Sequence, residues 1–179
     1  MRIFASMKKA LLVLGGLVLV VWGLLMSQGP YSSIDIEQGE QGGFILLGMD
    51  HIGPYQEIGT AFEALRSKFP EGEFSGVYFD DPETVPADSL HSFAGMKVSA
   101  AEAIRQMGLD HSLRIFEIEP RPAHFVNWEH GSNMVGIIIG TMKAYPALTA
   151  ACEETGWSGD SPLAYEDYTS EGIRYVMQY

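Results

Sequence analysis

The fold is decided by residues 44–98, which read FILLGMDHIGPYQEIGTAFEALRSKFPEGEFSGVYFDDPETVPADSLHSFAGMKV. The first eight residues form an apolar run typical of a buried strand. Pro54 then takes a first-turn position, and four apolar residues follow at helical spacing: Ile58, Phe62, Leu65 and Phe69. Residues 74–80 and 89–98 are typical of two further strands. The stretch therefore predicts a strand-helix-strand-strand unit.

The second half of the chain repeats this order. Strands are predicted at 112–119 and 123–130, a helical stretch follows, and two strands at 163–168 and 172–178 close the unit. The second helix carries Ile-Gly-Thr at 139–141, as the first does at 58–60. The sequence therefore predicts an α+β domain of duplicated strand-helix-strand-strand units over residues 34–179. A cleft between duplicated modules is a natural ligand site.

An apolar segment precedes this domain. Residues 10–26 carry no charge and consist of Ala, Leu, Val, Gly, Trp and Met. At 1.5 Å per residue, the segment with its neighbours is long enough to cross a hydrocarbon core. It has no polar face, which favours lipid over a place in the domain core. We therefore expect a transmembrane anchor at 10–26, joined to the domain by a polar Gly/Pro/Ser linker at 27–33.

Flanking charges predict how this anchor is oriented. Three basic residues precede it, Arg2, Lys8 and Lys9, and the next basic residue is Arg66. The positive-inside rule then places residues 1–9 in the cytoplasm and the domain on the non-cytoplasmic side of a single-pass membrane protein. A cleaved signal peptide is the alternative, since a basic start and an apolar stretch describe both. Pro30 directly follows the nearby small-residue motif at 27–29 and favours the uncleaved anchor.

Charge and the titratable residues exclude several functions. Residues 27–179 contain eight basic and 23 acidic residues, a net charge of 8 − 23 = −15, which excludes binding to nucleic acid or to anionic lipid by charge. The lone Cys152 has no partner for an internal disulfide. His124 and His130 lie six residues apart without Cys or Asp pairs beside them, so no metal site is predicted. No motif indicates a cofactor, a nucleophile elbow or a phosphate loop, and catalysis is unsupported by motif.

Two stretches resemble the GyrI-like effector-binding domains of the SOUL/GyrI superfamily. The first is His-Ile-Gly-Pro-Tyr at 51–55, which enters the first helix, and the second is GVYFDDPETVP at 76–86. The chain also resembles the membrane-anchored members of the testis-expressed ER-phagy receptor type, which share an N-terminal anchor and a Pro-Ala-Leu like that at 146–148. The resemblance covers most of residues 31–179.

The resemblance implies an antiparallel sheet with helices on one face and a ligand cleft on the other. Members of the family mostly bind small aromatic or cationic molecules, and a few hydrolyse reactive cyclopropane-bearing toxins. Many relatives place a glutamate in the last strand to meet a cationic ligand. Here the last strand reads Ile-Arg-Tyr-Val at 173–176 and has no acid.

Aromatic and acidic residues on the predicted strands are the candidate ligand-binding residues. The aromatic candidates are Trp128, Tyr78, Tyr175, Tyr165 and Tyr168, because rings on an open sheet face can enclose a flat ligand. Half of each strand points into the core, so ordinary packing is the competing role of any one of them. Glu117, Glu119 and Glu129 are strand acids that could replace the missing glutamate, or could simply be solvated.

These observations favour a membrane-anchored module that binds a small aromatic or cationic molecule in a cleft between two repeats. One alternative is a hydrolase of small reactive compounds with a strand glutamate as general base, which a buried acid beside a cleft aromatic would favour. The other is a protein-interaction adaptor, which a large exposed apolar patch would favour.

Overall fold

The domain is an α+β structure built on one antiparallel sheet, as the sequence predicted. The computed structural model describes residues 31–130, 133–157 and 162–179, together with 17–19, 21–23, 26 and 29 before them. Over these residues the strands are β1 Glu37–Gln41, β2 Phe44–Ile52, β3 Phe74–Tyr78, β4 His91–Val98, β5 Arg114–Ile118, β6 Arg121–Trp128, β7 Leu163–Tyr168 and β8 Ile173–Gln178. The helices are α1 Gly59–Lys68, α2 Ala100–Leu109 and α3 Met134–Glu154.

Duplication extends one strand further than predicted. The strand order is β1-β6-β8-β7-β3-β4-β2-β5, so the chain consists of two units, β1-β2-α1-β3-β4 and β5-β6-α3-β7-β8, linked by α2. Each unit gives its first strand to the other, since β1 pairs with β6 and β5 pairs with β2. The units also join at the centre of the sheet, where β3 pairs with β7.

Two short connections force the sheet to curl. Residues 42–43 link β1 to β2, and residues 119–120 link β5 to β6, yet each connection joins strands near opposite ends of the sheet. Each connection is three Cα–Cα steps and spans at most about 11 Å, whereas the strands it joins are six places apart and would be separated by about 29 Å in a flat sheet. A flat sheet of this order is therefore impossible. The ends of the sheet therefore meet, and the sheet encloses an inner face.

Gln178 holds the two connections together. Its side-chain Nε2 donates to the carbonyl oxygens of Gln41 at 2.6 Å and Glu119 at 2.9 Å. Gly42 has a φ of +104°, and a Cβ there would lie 2.3 Å from the Glu119 carbonyl oxygen, so the turn requires glycine. The Gly43 amide donates to the Ile118 carbonyl at 2.7 Å. Closure of the sheet thus depends on a few polar contacts at one corner.

The two faces of the sheet are both buried but by different partners. The inner face packs on itself through Leu46, Val77, Phe93, Phe125, Tyr165 and Val176. Helices cover the outer face: α1 and α2 lie over the first unit, and α3 lies over the second. Phe62 and Leu65 of α1 and Ala144 and Leu148 of α3 are buried against strands. The predicted placement of helices on one face is therefore correct.

The predicted strands differ from the observed ones by at most two residues at each end, and two element starts differ by more. The domain was predicted from residue 34, but its first strand, β1, begins at Glu37, where pairing with Phe125 of β6 starts. The first helix was expected from Pro54, but a 3-10 turn at Tyr55–Glu57 comes first and α1 begins at Gly59. Pro54 has extended backbone angles and precedes that turn.

Most of the predicted anchor at residues 10–26 lies outside the described residues. Its described parts, 17–19 and 21–23, are helical, and their side chains are exposed. Among described residues, α3 is the helix long and apolar enough to cross a membrane, by length and composition only. Five residues of α3 are buried, however, and the helix packs on β6 and β8: Gly136, Gly140, Ala144, Leu148 and Cys152. Helix α3 is therefore a core helix of the domain.

Gln178→Ala is expected to destabilise the domain by about 1–3 kcal/mol, because the carbonyl groups of Gln41 and Glu119 lose a donor that belongs to a buried side chain. The free energy of unfolding from urea titration, followed by circular dichroism, measures this change. Gln38→Ala is the matched control, since the Gln38 amide donates to the Tyr179 hydroxyl at an exposed position. The control should change stability by less than about 0.5 kcal/mol. Equal stability of the two variants would contradict the proposed role of Gln178 in closure.

Candidate functional site

A buried carboxylate marks the outer face of the sheet where the two units meet. Glu166 lies on β7, opposite Gly76 of β3 and Tyr175 of β8, and is only 3% exposed. Its neighbour Asp167 points to the inner face, where Lys97 forms an ion pair with it at 2.9 Å. In the part of the chain that the structure describes, no Lys, Arg or His pairs with Glu166. Its charge is therefore uncompensated by a cation.

Three tyrosine hydroxyls surround the Glu166 carboxylate. Tyr168 donates to Oε2 at 2.6 Å, Tyr78 donates to the same oxygen at 3.1 Å, and Tyr145 donates to Oε1 at 3.2 Å. The three rings come from β7, β3 and α3, so both units contribute to the site. We call these four residues the Glu166 site.

Glycines make room for this arrangement. A Cβ at Gly76 would lie 3.1 Å from the Tyr78 hydroxyl oxygen and 3.3 Å from Phe62 Cζ, so the Tyr78 side chain folds back over Gly76 towards Glu166. In α3, a Cβ at Gly140 would lie 2.5 Å from the hydroxyl oxygen of Tyr175, which the glycine accommodates. The absence of these two side chains allows strand, helix and tyrosine rings to approach closely.

Further aromatic rings support the tyrosines of the site. The Tyr175 ring packs edge-on against Tyr145 with centroids 5.7 Å apart, and its hydroxyl donates to the Ile137 carbonyl at 3.1 Å. Phe62 of α1 packs edge-on against Tyr168 at 5.3 Å. Helices α1 and α3 therefore flank the Glu166 site with rings from both units.

The two stretches that carried the family resemblance meet beside the site. The Tyr55 ring packs edge-on against Tyr78 at 4.9 Å, and its hydroxyl donates to the Asp80 carbonyl at 2.8 Å. The Asp80 amide in turn donates to the Tyr55 hydroxyl at 2.9 Å. Asp81 accepts from the Glu83 amide at 2.9 Å, an Asx turn that shapes the loop before Pro86. These contacts bring the two stretches together beside the Tyr78 ring.

Burial controls the ionisation of the site. Desolvation raises the pKa of Glu166, and the hydrogen bonds from the three tyrosines oppose that shift. Desolvation also raises the pKa of Tyr78 and of Tyr168 well above the usual value, and the charge of Glu166 adds to the effect. The tyrosines therefore stay protonated and can donate, while Glu166 can hold or release a proton nearer to neutrality than an exposed glutamate.

The structure brings some predicted site residues together and separates others. Tyr78 and Tyr168 belong to the Glu166 site, and Tyr175 adjoins it. Tyr165 lies on the inner face, where its hydroxyl has no hydrogen-bond partner. Glu117 and Glu129 are exposed, and neither belongs to the Glu166 site.

Trp128 was the leading candidate from the sequence and lies in the core. It is 2% exposed, and its indole Nε1 donates to the Gly136 carbonyl at 3.1 Å. Together with Glu129 it lines a surface depression of about 430 Å³ that also includes Ser32, Asp35 and His130 and does not include Glu166. Its role in ligand binding stays a prediction.

Sequence reasoning missed Glu166 and Tyr145. The absent glutamate was sought in the last strand, β8, whereas the acid stands one strand earlier, on β7. The available signal was the pair of adjacent acids at 166 and 167 within a strand flanked by tyrosines. Adjacent residues of a strand face opposite sides, so both acids of such a pair are buried when both faces of the sheet are covered. Tyr145 could not be assigned because its partner lies 21 residues away across the fold.

The Glu166 site lies on the face that carries the helices. The family resemblance implied a cleft on the opposite face, but that face is the packed interior of the curled sheet. Among the described residues, no group of three His, Cys, Asp or Glu side chains could hold a metal ion. The arrangement is suited to an organic ligand, because an acid and aromatic rings are its components.

Comparisons with known proteins find similar folds at low identity. A protein of known structure from Listeria innocua, described as a hydrolase, is 12% identical over 80% of this chain and 90% of that chain, with a TM-score of 0.47. The EcmrR C-terminal domain is 12% identical over 82% and 96%, with a TM-score of 0.49. An integron cassette protein from Vibrio cholerae is 12% identical over 80% and 94%, with a TM-score of 0.45.

No family profile matches the sequence, and no curated protein matches it. Structural likenesses of this strength do not assign the chain to a family.

Glu166→Gln is expected to change how stability depends on pH. Because burial raises the folded-state pKa of Glu166, the folded chain binds more protons than the unfolded chain above about pH 4.3, and the contribution of Glu166 to stability falls as pH rises. Glutamine does not ionise. The melting temperature of the variant, minus that of the wild type, should therefore increase from about pH 4 to about pH 8.

Thermal unfolding followed by circular dichroism measures this difference at each pH. Contributions from other carboxylates cancel in the subtraction, and any change in hydrogen bonding gives a constant offset. Glu117→Gln is the control, since Glu117 is exposed. The melting temperature of this control minus that of the wild type should be the same at each pH. A flat difference for Glu166→Gln as well would show that the Glu166 pKa is not raised.

Proposed function

We propose that the domain binds a small molecule that carries a positive charge on a flat apolar body. One observation carries this proposal: a carboxylate that is 3% exposed has three tyrosine hydroxyls as partners and, among the described residues, no cation. A buried ionised carboxylate is costly without a counter-charge, so a cationic ligand is more strongly favoured here than a neutral one. Aromatic faces around the carboxylate add cation–π and stacking contacts.

Entry of such a ligand requires one tyrosine to move. Tyr78, Tyr145 and Tyr168 are all half-buried, so each reaches the surface as well as the carboxylate. Tyr78 is the suitable gate, because its bond to Oε2 is longer, at 3.1 Å, than the 2.6 Å bond from Tyr168. A ligand that replaces the Tyr78 hydroxyl beside Oε2 would lie between α1 and α3, against rings from both units.

This function agrees with the resemblance to GyrI-like effector-binding domains. The duplicated units, the curled antiparallel sheet and an acid within a ring of tyrosines are the features that support it. Membership of that family, and the finer likeness to the ER-phagy receptor type, remain proposals.

Hydrolysis of a small reactive compound is the second candidate. A buried acid beside aromatic rings is the feature that favours it, and Glu166 meets that description. In such a reaction, Glu166 would take a proton from water, whose oxygen would bond to a carbon of a strained ring. The ring bond would break, its electron pair would pass to a conjugated carbonyl oxygen, and a tyrosine hydroxyl would protonate that oxygen.

Ethidium is expected to bind the full chain in lipid nanodiscs more tightly than uncharged phenanthridine, which has the same ring system. Glu166→Gln should weaken ethidium binding at least about tenfold, because a hydrogen bond or contact to a charged group contributes about 1.5–3 kcal/mol. Fluorescence anisotropy measures ethidium binding, and competition with ethidium measures phenanthridine binding. Glu117→Gln removes an exposed charge and should leave both affinities unchanged.

Equal affinity of the wild type and Glu166→Gln for ethidium would contradict the proposal. The hydrolase alternative has a different readout, in which the chain is incubated with a ketone bearing a spiro-cyclopropane ring. Mass spectrometry of the recovered compound detects the addition of one water. Addition that Glu166→Gln abolishes would favour the hydrolase.

Membrane anchoring is the second part of the proposed function. We propose that residues 10–26 span a membrane once, with the domain on the non-cytoplasmic side, because the segment is uncharged and the basic residues precede it. The exposed helical side chains at 17–19 and 21–23 support this proposal, since they pack on no part of the described domain.

The chain is expected to remain with membranes after alkaline carbonate extraction. A double variant, Val13→Arg with Leu17→Arg, should move to the soluble fraction, because each arginine costs about 2.5–3.5 kcal/mol at the centre of a span. Quantitative blotting of both fractions measures the outcome. A mature N-terminus near Pro30 would instead show cleavage of a signal peptide. Protease protection in sealed vesicles tests which side holds the domain.

A further inference from the structure

Helix α3 has an apolar side that nothing in the described domain covers. Met134 is 77% exposed, Val135 42%, Ile138 52% and Met142 71%. The spacing of 134, 138 and 142 places these side chains along one stripe, and Val135 lies beside it. Gly136, Gly140 and Ala144 occupy the opposite stripe and pack on the sheet. We call Met134, Val135, Ile138 and Met142 the lipid face.

Acidic residues are absent from most of this helix. Residues 27–179 carry a net charge of −15, yet residues 134–152 contain no Asp or Glu. Lys143 is the single charged residue in that range. An acidic domain is repelled from a membrane surface that carries negative charge, so its acid-free side is the one that can approach.

The described contacts hold the end of the N-terminal apolar segment beside this helix. The Gly29 amide donates to the Met26 carbonyl at 3.3 Å. Lys143 of α3 donates from Nζ to the Gly29 carbonyl at 3.4 Å and to the Ser32 carbonyl at 2.6 Å. Gly29 itself is buried, and a Cβ there would lie 2.6 Å from the His130 ring. Gly29 and Ser32 are therefore held beside the middle of α3 through Lys143.

We propose that the lipid face of α3 rests on the bilayer surface into which residues 10–26 insert. This inference depends on the proposed anchor. Gly29 follows Met26 by three Cα–Cα steps, a distance of at most about 11 Å, so the domain cannot stand far from the membrane. Exposed apolar residues on one side of a helix are the feature by which a helix lies in the interfacial region. The occupant of the lipid face is thus the lipid itself.

Other occupants fit the same observations less well. Five apolar residues in the described parts of the N-terminal helix are between 47% and 68% exposed: Leu17, Val18, Leu19, Val21 and Trp22. These five described residues therefore do not cover the lipid face. A second copy of the chain would bring another domain of net charge −15 against the first, which costs electrostatic energy.

Spin labels on the lipid face test the inference in the full chain reconstituted into phosphatidylcholine vesicles. Ile138→Cys and Met142→Cys carry the label. Ile104→Cys on α2 is the matched control, since Ile104 is apolar and 70% exposed on another helix. Unsubstituted chain gives the background from buried Cys152. Collision of each label with oxygen, which concentrates in lipid, is compared with collision with a water-soluble nickel chelate.

Labels at 138 and 142 are expected to show an oxygen-to-nickel collision ratio several-fold higher than the label at 104. A ratio equal to that of the control would overturn the inference. Strong spin–spin broadening would overturn it in favour of contact between two copies, and an immobile label that neither reagent reaches would do so in favour of a protein cover. Flotation with the vesicles is measured first. A chain that fails to float overturns the anchor and this inference together, whereas a floating chain with a water-exposed label overturns the inference alone.

Discussion

The exchange of first strands between the two units is the constraint on which the rest of the structure depends. Because β1 pairs with β6 and β5 pairs with β2, each two-residue connection must cross from one end of the sheet to the other. The sheet can satisfy both connections only by curling until its ends meet. Gly42 has no Cβ and so lets the two connections come close together. The side-chain amide of Gln178 donates to the carbonyl groups of Gln41 and Glu119 at the same corner.

Curling determines where the Glu166 site lies. Once the ends meet, the inner face packs on itself through side chains such as Phe93 and Tyr165. The helices must then occupy the outer face, and α1 and α3 flank the central β3–β7 pair. Glu166 lies on that pair, and its tyrosine donors come from both units. The site is therefore a product of the duplication, because neither unit alone supplies all four residues.

The sequence predicts the elements well and the site in part. Apolar periodicity and turn residues indicate the strands near their observed bounds, and β7 is predicted without error because local signals suffice. Tyr78 and Tyr168 were candidates because aromatic residues on strands are visible in the sequence; both contact Glu166, and their role in ligand binding stays a prediction. Glu166 is missed, because the choice between a solvated acid and a buried acid depends on which face of β7 the helices cover. The strand exchange is likewise invisible, because pairing partners far apart in sequence leave no local pattern.

Helix α3 carries the lipid face and one residue of the Glu166 site on neighbouring turns. Met142 belongs to the lipid face and Tyr145 donates to Glu166, and residues three apart lie on adjacent turns of one side of a helix. If the bilayer covers Met142, a molecule dissolved among the lipids is only about one helical turn, roughly 5 Å, from the tyrosines. The site would then exchange ligand with the pool stored in the membrane. A large partition coefficient would raise the rate at which a flat cation reaches the domain, while the occupancy at equilibrium would still be set by the aqueous concentration and the dissociation constant.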